Sequence, residues 1–255
     1  MSTHTVTQGP GPRVALVTGG ASGIGAACAQ RLADDGYTVV VADIDEPGAE
    51  RTARSVIATG GAARARPVDV SQAGSVASLA DWIVDAYGSL YAVVNCAGVT
   101  GPLVYLADYP LDAFASVIGT NLCGVFHTMR QCIPVLRDNG GGVVVNVASV
   151  AGHTAQRAHS PYVAAKHAVI GLTKAAAREY ARDGIRVVSV SPGLIDTPMT
   201  AGLAPDVLAG ALDDVPARRM GHPREVAAAV AFLVSDDARY VTGSDHPVDG
   251  GYLTS

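Results

Sequence analysis

Charge is what this sequence has least of. Only 16% of its 255 residues are charged while 49% are hydrophobic, a balance that fits a well-buried globular chain and excludes a disordered one. What charge there is leans acidic, with a formal net value of −5. No lysine–arginine cluster or aromatic–basic interleaving offsets it, so neither a nucleic-acid partner nor an anionic membrane surface is expected. Cysteine is sparse and unpatterned: Cys28, Cys96, Cys123 and Cys132 form no C-x-x-C pair and no metal-ligand spacing. They read as small buried hydrophobes in a reducing compartment, with no metal. No apolar run has the length of a membrane span. Residues 1–12, MSTHTVTQGPGP, lack both a basic segment and an apolar core, and are expected to be a loose tail rather than a signal peptide. Internal repeats and linkers are missing too. These absences leave a soluble, cytoplasmic protein with one domain over residues 13–255.

What is present is alternation. Apolar, β-branched runs at 13–18, 37–42, 90–94, 143–147 and 185–190 read as strands, with a short third strand at 63–68 and a short last strand within 242–251. Helical patterns separate them: the segment ending at Gly36, then 47–60, 72–87, a long stretch over 111–138 that Pro134 kinks or resets, and 223–234. Strand–helix alternation of this kind predicts an α/β fold with a doubly wound, Rossmann-like parallel sheet. Residues 194–217 are small, apolar and proline-punctuated; they are long for a loop and are a candidate substrate lid.

The first strand runs straight into Gly19-Gly-Ala-Ser22-Gly23-Ile24-Gly25 and then a helix. Strand, glycine turn and helix are the context of a phosphate-binding loop. Glycines let the backbone approach a pyrophosphate, and a helix N-terminus offers free N–H groups and a positive dipole end. The second strand closes on Asp43, about 20 residues past the glycines, where a carboxylate accepts hydrogen bonds from an adenosine ribose. The same carboxylate repels a 2′-phosphate, and Ile44 beside it brings no compensating charge, so NAD is favoured over NADP. Asp43 also suits an N-cap for the helix near Pro47, a role that does not exclude the first. Asp69-Val70 follows the third strand; Asp69 fits either an adenine contact or the N-cap of the next helix. Small residues at Asn95-Cys96-Ala97-Gly98 suit a cofactor lying against backbone.

The chemistry is carried by residues 141–176. Ser149 follows a strand buried on both faces, at its C-terminal end. Ser160 and Pro161 read as the N-cap and first residue of a helix that carries Tyr162 and Lys166 four residues apart, hence neighbours on one face. A phenol has a pKa of ~10 and is a poor acid–base group at neutral pH. An ammonium one turn away favours the phenolate and would let Tyr162 exchange protons with an alcohol. Lysine here is telling, because the chain holds 16 arginines and only Lys166 and Lys174: the site wants a compact ammonium. A Tyr-x-x-x-Lys spacing also arises in helices without chemistry. Asn121, a poor helix former inside a helical stretch, either makes a specific hydrogen bond or is a tolerated polar residue. His153 either bonds a second substrate oxygen or is simply solvated.

Taken in order, Thr18-Gly19-x-x-x-Gly23-x-Gly25, Asn95-Cys-Ala-Gly98, Asn121, Ser149, Tyr162-x-x-x-Lys166 and Pro192-Gly193 resemble the short-chain dehydrogenase/reductase family over nearly all of residues 13–252. The resemblance implies a seven-stranded sheet, a nicotinamide dinucleotide cofactor and a homotetramer. It implies that Tyr162 is the general acid–base and that Ser149 positions the substrate oxygen. Lys166 would bind the nicotinamide ribose and lower the tyrosine pKa, and Asn121 would hold a water linking Lys166 to solvent. It also places Asp69 and Val70 around adenine, Asn95, Ala97 and Gly98 along the cofactor, and Ile195 and Thr197, just past Pro192-Gly193, at the nicotinamide end. The one departure is Cys96, where the family often carries asparagine. The expected reaction is reversible hydride transfer between NAD and a secondary alcohol or ketone. A substrate pocket near 99–105, 153–159 and 194–217 has few charges, which points to a neutral, largely apolar or cyclic small molecule. The alternatives are a 3-oxoacyl-carrier-protein reductase, with Arg130 and Arg178 in a docking face, and a non-catalytic dinucleotide-sensing or scaffold protein.

Overall fold

A computed structural model describes residues 13–254, so the expected tail at 1–12 lies outside the described residues. Seven strands, β1 (Val14–Thr18), β2 (Thr38–Asp43), β3 (Ala62–Pro67), β4 (Ala92–Asn95), β5 (Gly142–Val147), β6 (Ile185–Pro192) and β7 (Asp245–Val248), form one sheet in the order β3-β2-β1-β4-β5-β6-β7. Every neighbouring pair is parallel. The inner strands read as apolar runs because both faces are covered, while the edge strands β3 and β7 are partly exposed. In β2, Val39 and Val41 pack on one layer with Leu32 and Val56, while Val40 and Ala42 pack on the other with Leu79 and Ile83. The first layer holds α1 (Gly23–Asp34), α2 (Glu46–Ala58) and α8 (Pro223–Val234); the second holds α3 (Ala73–Tyr87), α5 (Gly124–Asp138) and α6 (Ser160–Tyr180). The strand order reverses between β1 and β4, the switch point where open α/β sheets bind ligands.

Three local expectations change. The stretch over 111–138 is two helices, α4 (Leu111–Ile118) and α5, joined by a wide turn of π geometry at Gly119–Cys123; Pro134 sits inside α5 without ending it. The widened ladder contains Asn121, whose side chain bonds the backbone of Val99, as described below. Residues 194–217 are not all loop: α7 (Pro205–Asp213) lies within them, its proline at a first-turn position where the missing N–H costs nothing. The helix N-caps also move. Asp45, not Asp43, caps α2 by accepting from Gly48 N at 3.1 Å, and His159 precedes α6, so Ser160 is its first residue. None of the described helices is long and apolar enough to cross a membrane.

Candidate active site

A cleft of about 580 Å³ runs along the C-terminal ends of the strands. Its first half is made of backbone. Gly19 has φ +69°, and a Cβ there would meet Ala97 backbone at 2.6 Å; a Cβ on Gly25 would stand 2.0 Å from Gly19 O. Both glycines are therefore required by close approach, which presses the turn against the end of β4. Ser22 precedes α1 without a side-chain cap, so the first N–H groups of that helix keep their free donors. Asp43 Oδ2 accepts from Ala21 N at 2.9 Å and Oδ1 accepts from Asp45 N at 3.0 Å, tying β2 to the glycine turn. Each oxygen retains capacity for another donor. Gly19, Ser22, Gly23, Ile24, Gly25, Asp43 and Ile44 all line this half. Asp69 and Val70 line it as well; Asp69 Oδ1 accepts from Ser71 N and Ser71 Oγ, and Gln72 precedes α3, so Asp69 is a turn former rather than its N-cap.

The second half gathers Ser149, Tyr162 and Lys166 with Ala97, Gly98, Pro192, Gly193, Ile195 and Thr197. Ser149 precedes a short 3₁₀ turn, Val150–Gly152, and its Oγ accepts from Ala151 N at 3.1 Å, which leaves the hydroxyl proton to donate. Lys166 is buried, its Nζ donating to Val147 O at 2.7 Å and standing 5.6 Å from the centre of the Tyr162 ring. Burial lowers the Lys166 pKa to about 8. Burial also raises that of Tyr162 above the usual phenol value, with the Ser149 hydroxyl pulling the other way. The expectation that Lys166 lowers the tyrosine is thus not met by the protein alone. Desolvation is the largest influence on the phenol, and the Lys166 ammonium is bonded to the Val147 carbonyl rather than to it. Cys96 lies beside them as a neutral thiol, pushed up to about 12 by burial.

Three expected site residues do not line the cleft. Asn95 points into a buried ladder: its Nδ2 donates to Asn146 Oδ1 at 2.8 Å, and Asn146 Nδ2 donates to Thr173 Oγ1 at 2.9 Å. It fastens β4 to β5 and to α6. Asn121 spends both ends of its amide on Val99, donating to its carbonyl at 2.7 Å and accepting its N–H at 3.0 Å, so it shapes the loop after β4. His153 is engaged by Asp245, with Nε2 2.8 Å from Oδ2, and offers that nitrogen to no substrate. Val99, Pro198, Met199 and Thr200 line the cleft as the expected pocket at 99–105 and 194–217 implies, and the cleft adds residues outside the expected set, chiefly Ser71, Ser116, Thr120 and Val147. Ser116 lies on α4 and Thr120 in the wide turn after it, elements with no local motif to mark them, whereas Val147 ends β5 just before Ser149 and its place at a strand end was the available signal. Among the described residues no cluster of three or more His, Cys, Asp or Glu is placed to hold a metal.

A family model described as Enoyl-(Acyl carrier protein) reductase matches residues 19–253. The chain is 42% identical over 242 residues to cyclohexanol dehydrogenase of Acinetobacter sp. (strain SE19), covering 95% of each. It belongs to the short-chain dehydrogenase/reductase family. A second relative in that family, cis-4-hydroxycyclohexanecarboxylate dehydrogenase of Sinomonas cyclohexanicum, is 43% identical over 240 residues, 94% of this chain and 96% of that one. The crystal structure of levodione reductase superposes with a TM-score of 0.92 at 35% identity, over 95% of this chain and 98% of the other. Like other short-chain dehydrogenases/reductases, the protein is an oxidoreductase acting on alcohols or ketones. The family's nicotinamide cofactor fits the residues present: a Cβ-free turn, an uncapped helix N-terminus and a carboxylate with spare acceptor capacity.

Proposed function

We propose that the protein is an NAD-dependent dehydrogenase of neutral cyclic secondary alcohols, working reversibly on the corresponding ketones. The observation that carries the cofactor choice is the lining beyond the glycine turn. It holds Asp43, Asp45 and Ile44, and among the cleft's described residues Lys166 is the one cationic side chain. A 2′-phosphate would meet carboxylates there and no arginine. The substrate end carries no charged side chain besides Lys166, with Val99, Ile195, Pro198 and Met199 in its lining alongside the neutral hydroxyls of Thr197 and Thr200. Cyclohexanol and levodione, named for the relatives, are neutral rings that suit such a wall. The carrier-protein alternative would want NADPH and therefore a different residue at Asp43.

The glycine turn and the α1 N-terminus would hold the pyrophosphate, Asp43 the adenosine ribose, Asp69 and Val70 the adenine, and Lys166 the nicotinamide ribose. Pro192, Gly193, Ile195 and Thr197 would flank the nicotinamide. Bound NAD supplies the hydride acceptor. Ser149 donates a hydrogen bond to the substrate oxygen and fixes it beside Tyr162. Tyr162 takes the hydroxyl proton in oxidation and returns it in reduction, and its raised pKa favours the protonated form that reduction needs. Lys166, when charged, stabilises the phenolate as the proton leaves. Asn121 acts through Val99 in this reading, holding the loop that walls the pocket.

We also infer a cytoplasmic homotetramer. Free thiols at all four cysteines support the reducing compartment, and exposed Phe114 and Phe126, on α4 and α5, supply apolar surface for a second copy. The functional test is NADH absorbance with a panel of cyclic and open-chain alcohols, carboxylated rings and a 3-oxoacyl thioester, each with NAD and NADP. Fastest turnover on neutral rings with NAD is expected; preference for NADPH and the thioester would overturn the assignment.

A further inference from the structure

A polar cluster outside the cleft converges on one buried carboxylate. Asp245 opens β7 with its side chain only 8% exposed. Ser189 and Ser191, two apart on β6 and both fully buried, face it together. Ser189 Oγ donates to Oδ1 at 2.5 Å and Ser191 Oγ donates to the same atom at 3.0 Å. A carboxylate taken out of water needs donors on both oxygens, and Oδ2 is served by His153 Nε2 at 2.8 Å. The neighbouring His246 is committed elsewhere, to Ser244 Oγ at 2.9 Å.

His153 is not an arbitrary partner. It closes the short turn Val150–Gly152 that Ser149 opens, and within that turn Ala151 N donates to Ser149 Oγ. The turn is fixed on a second side as well: a Cβ on Gly152 would lie 3.0 Å from Lys166 O, so the backbone is pressed onto the helix that carries Tyr162 and Lys166. Two sheet strands therefore hold His153 and the catalytic helix holds Gly152 beside it, so the far end of the turn from Ser149 is fixed from two sides. The orientation of the Ser149 hydroxyl is what remains to be set by that pair of anchors.

We propose that His153 and Asp245 are a positioning pair for Ser149: the carboxylate, locked by two serines of β6, grips His153 and so fixes the turn that aims the Ser149 hydroxyl at the substrate oxygen. This rests on the reading of Ser149 as the group that binds that oxygen. The role differs from direct substrate binding by His153, because the ring acts through the turn.

The test uses full-length His153→Ala and His153→Gln, each also combined with Ser149→Ala, assayed with cyclohexanol and NAD. Misplacing an orienting group costs about 10- to 100-fold in rate, so His153→Ala should lower kcat on that scale with a smaller change in KM. NADH affinity, read from its fluorescence, should stay as in the wild type, while hydrogen exchange at Ala151–Thr154 should quicken. His153→Gln keeps an N–H donor at a similar reach and should restore most of the rate. In the Ser149→Ala background, His153→Ala should cost almost nothing further, the non-additivity expected of groups acting as one unit. Additive losses, or a His153→Ala enzyme within about twofold of wild type, the scatter of ordinary surface substitutions, would overturn the positioning pair alone. A wild type that forms no NADH from any alcohol would overturn the proposed function, and this role with it.

Discussion

The two halves of the cleft are built differently. The half around Gly19–Gly25 and Asp43 is made of backbone: glycines in contact with backbone, an uncapped helix end, and one carboxylate bonded to main-chain N–H groups. The half around Ser149, Tyr162 and Lys166 is held by side chains one layer beneath it. Asn95–Asn146–Thr173, Asn121 on Val99, Lys166 on Val147 and His153 on Asp245 are its fasteners. A backbone-built site tolerates varied side chains but not an added Cβ. A site built on buried polar side chains depends on each partner being present, because a donor left alone in the interior costs far more than the bond contributes.

The comparison can be broken most forcefully at Tyr162. Tyr162→Phe removes the proton carrier and nothing from the backbone half, so kcat should fall by about 10²–10⁴ while NADH still binds. Steady-state rates and NADH fluorescence on the same sample check both parts. Next comes the ladder beneath the catalytic half. Asn146→Ala leaves the buried Asn95 Nδ2 without its acceptor while the Thr173 hydroxyl keeps Val169 O, at about 1–3 kcal/mol for the unsatisfied group, and a urea melt should show the loss.

Lys166 gives a smaller, pH-dependent effect. Burial holds its pKa at about 8, below the 10.5 of a free lysine. Between those values the unfolded chain binds a proton the folded chain has released. Stability from this group therefore rises with pH across that window, and the penalty is full below it. The buried thiols of Cys28, Cys96 and Cys132 act oppositely above their ordinary values, because burial raises them. Comparing wild type with Lys166→Met cancels the thiols. The wild type should gain on the variant by on the order of 1–2 kcal/mol between pH 8 and 10, measured by urea denaturation at each pH. The mildest change sits in the backbone half. Asp43→Ala should relax the preference for NAD over NADP by about tenfold, a ~1.4 kcal/mol difference, read as the ratio of kcat/KM values. An unchanged ratio would remove the electrostatic account of that half.

Legibility followed the same divide. Gly19, Gly25 and Asp43 were readable from spacing, since a glycine's purpose is fixed by the backbone path it permits. Asn95 and His153 were not, because a strand end or a short turn has two sides and sequence spacing places a residue without aiming it. Asn95 belongs to a strand whose side chains alternate, and its alternate face is the buried ladder. Asn121 was read as a break in helical propensity, which it is; the partner, Val99, lies 22 residues away and leaves no local trace. In the lid segment the prolines were weighed as breaks, whereas Pro205 begins a helix. The inner strands β1, β2, β4, β5 and β6 were legible to within one or two residues because they are buried on both faces, whereas the edge strands β3 and β7 carry exposed polar residues.

The central claim is hydride transfer from a ring alcohol to NAD with Tyr162 taking the proton. The most direct measurement uses cyclohexanol deuterated at the carbinol carbon, incubated with the protein and NAD, with the recovered nicotinamide examined by mass spectrometry. The account predicts one deuterium on the reduced nicotinamide and cyclohexanone as the product. Recovery of unreduced NAD and unchanged alcohol, or reduced cofactor carrying solvent hydrogen in place of deuterium, would contradict it.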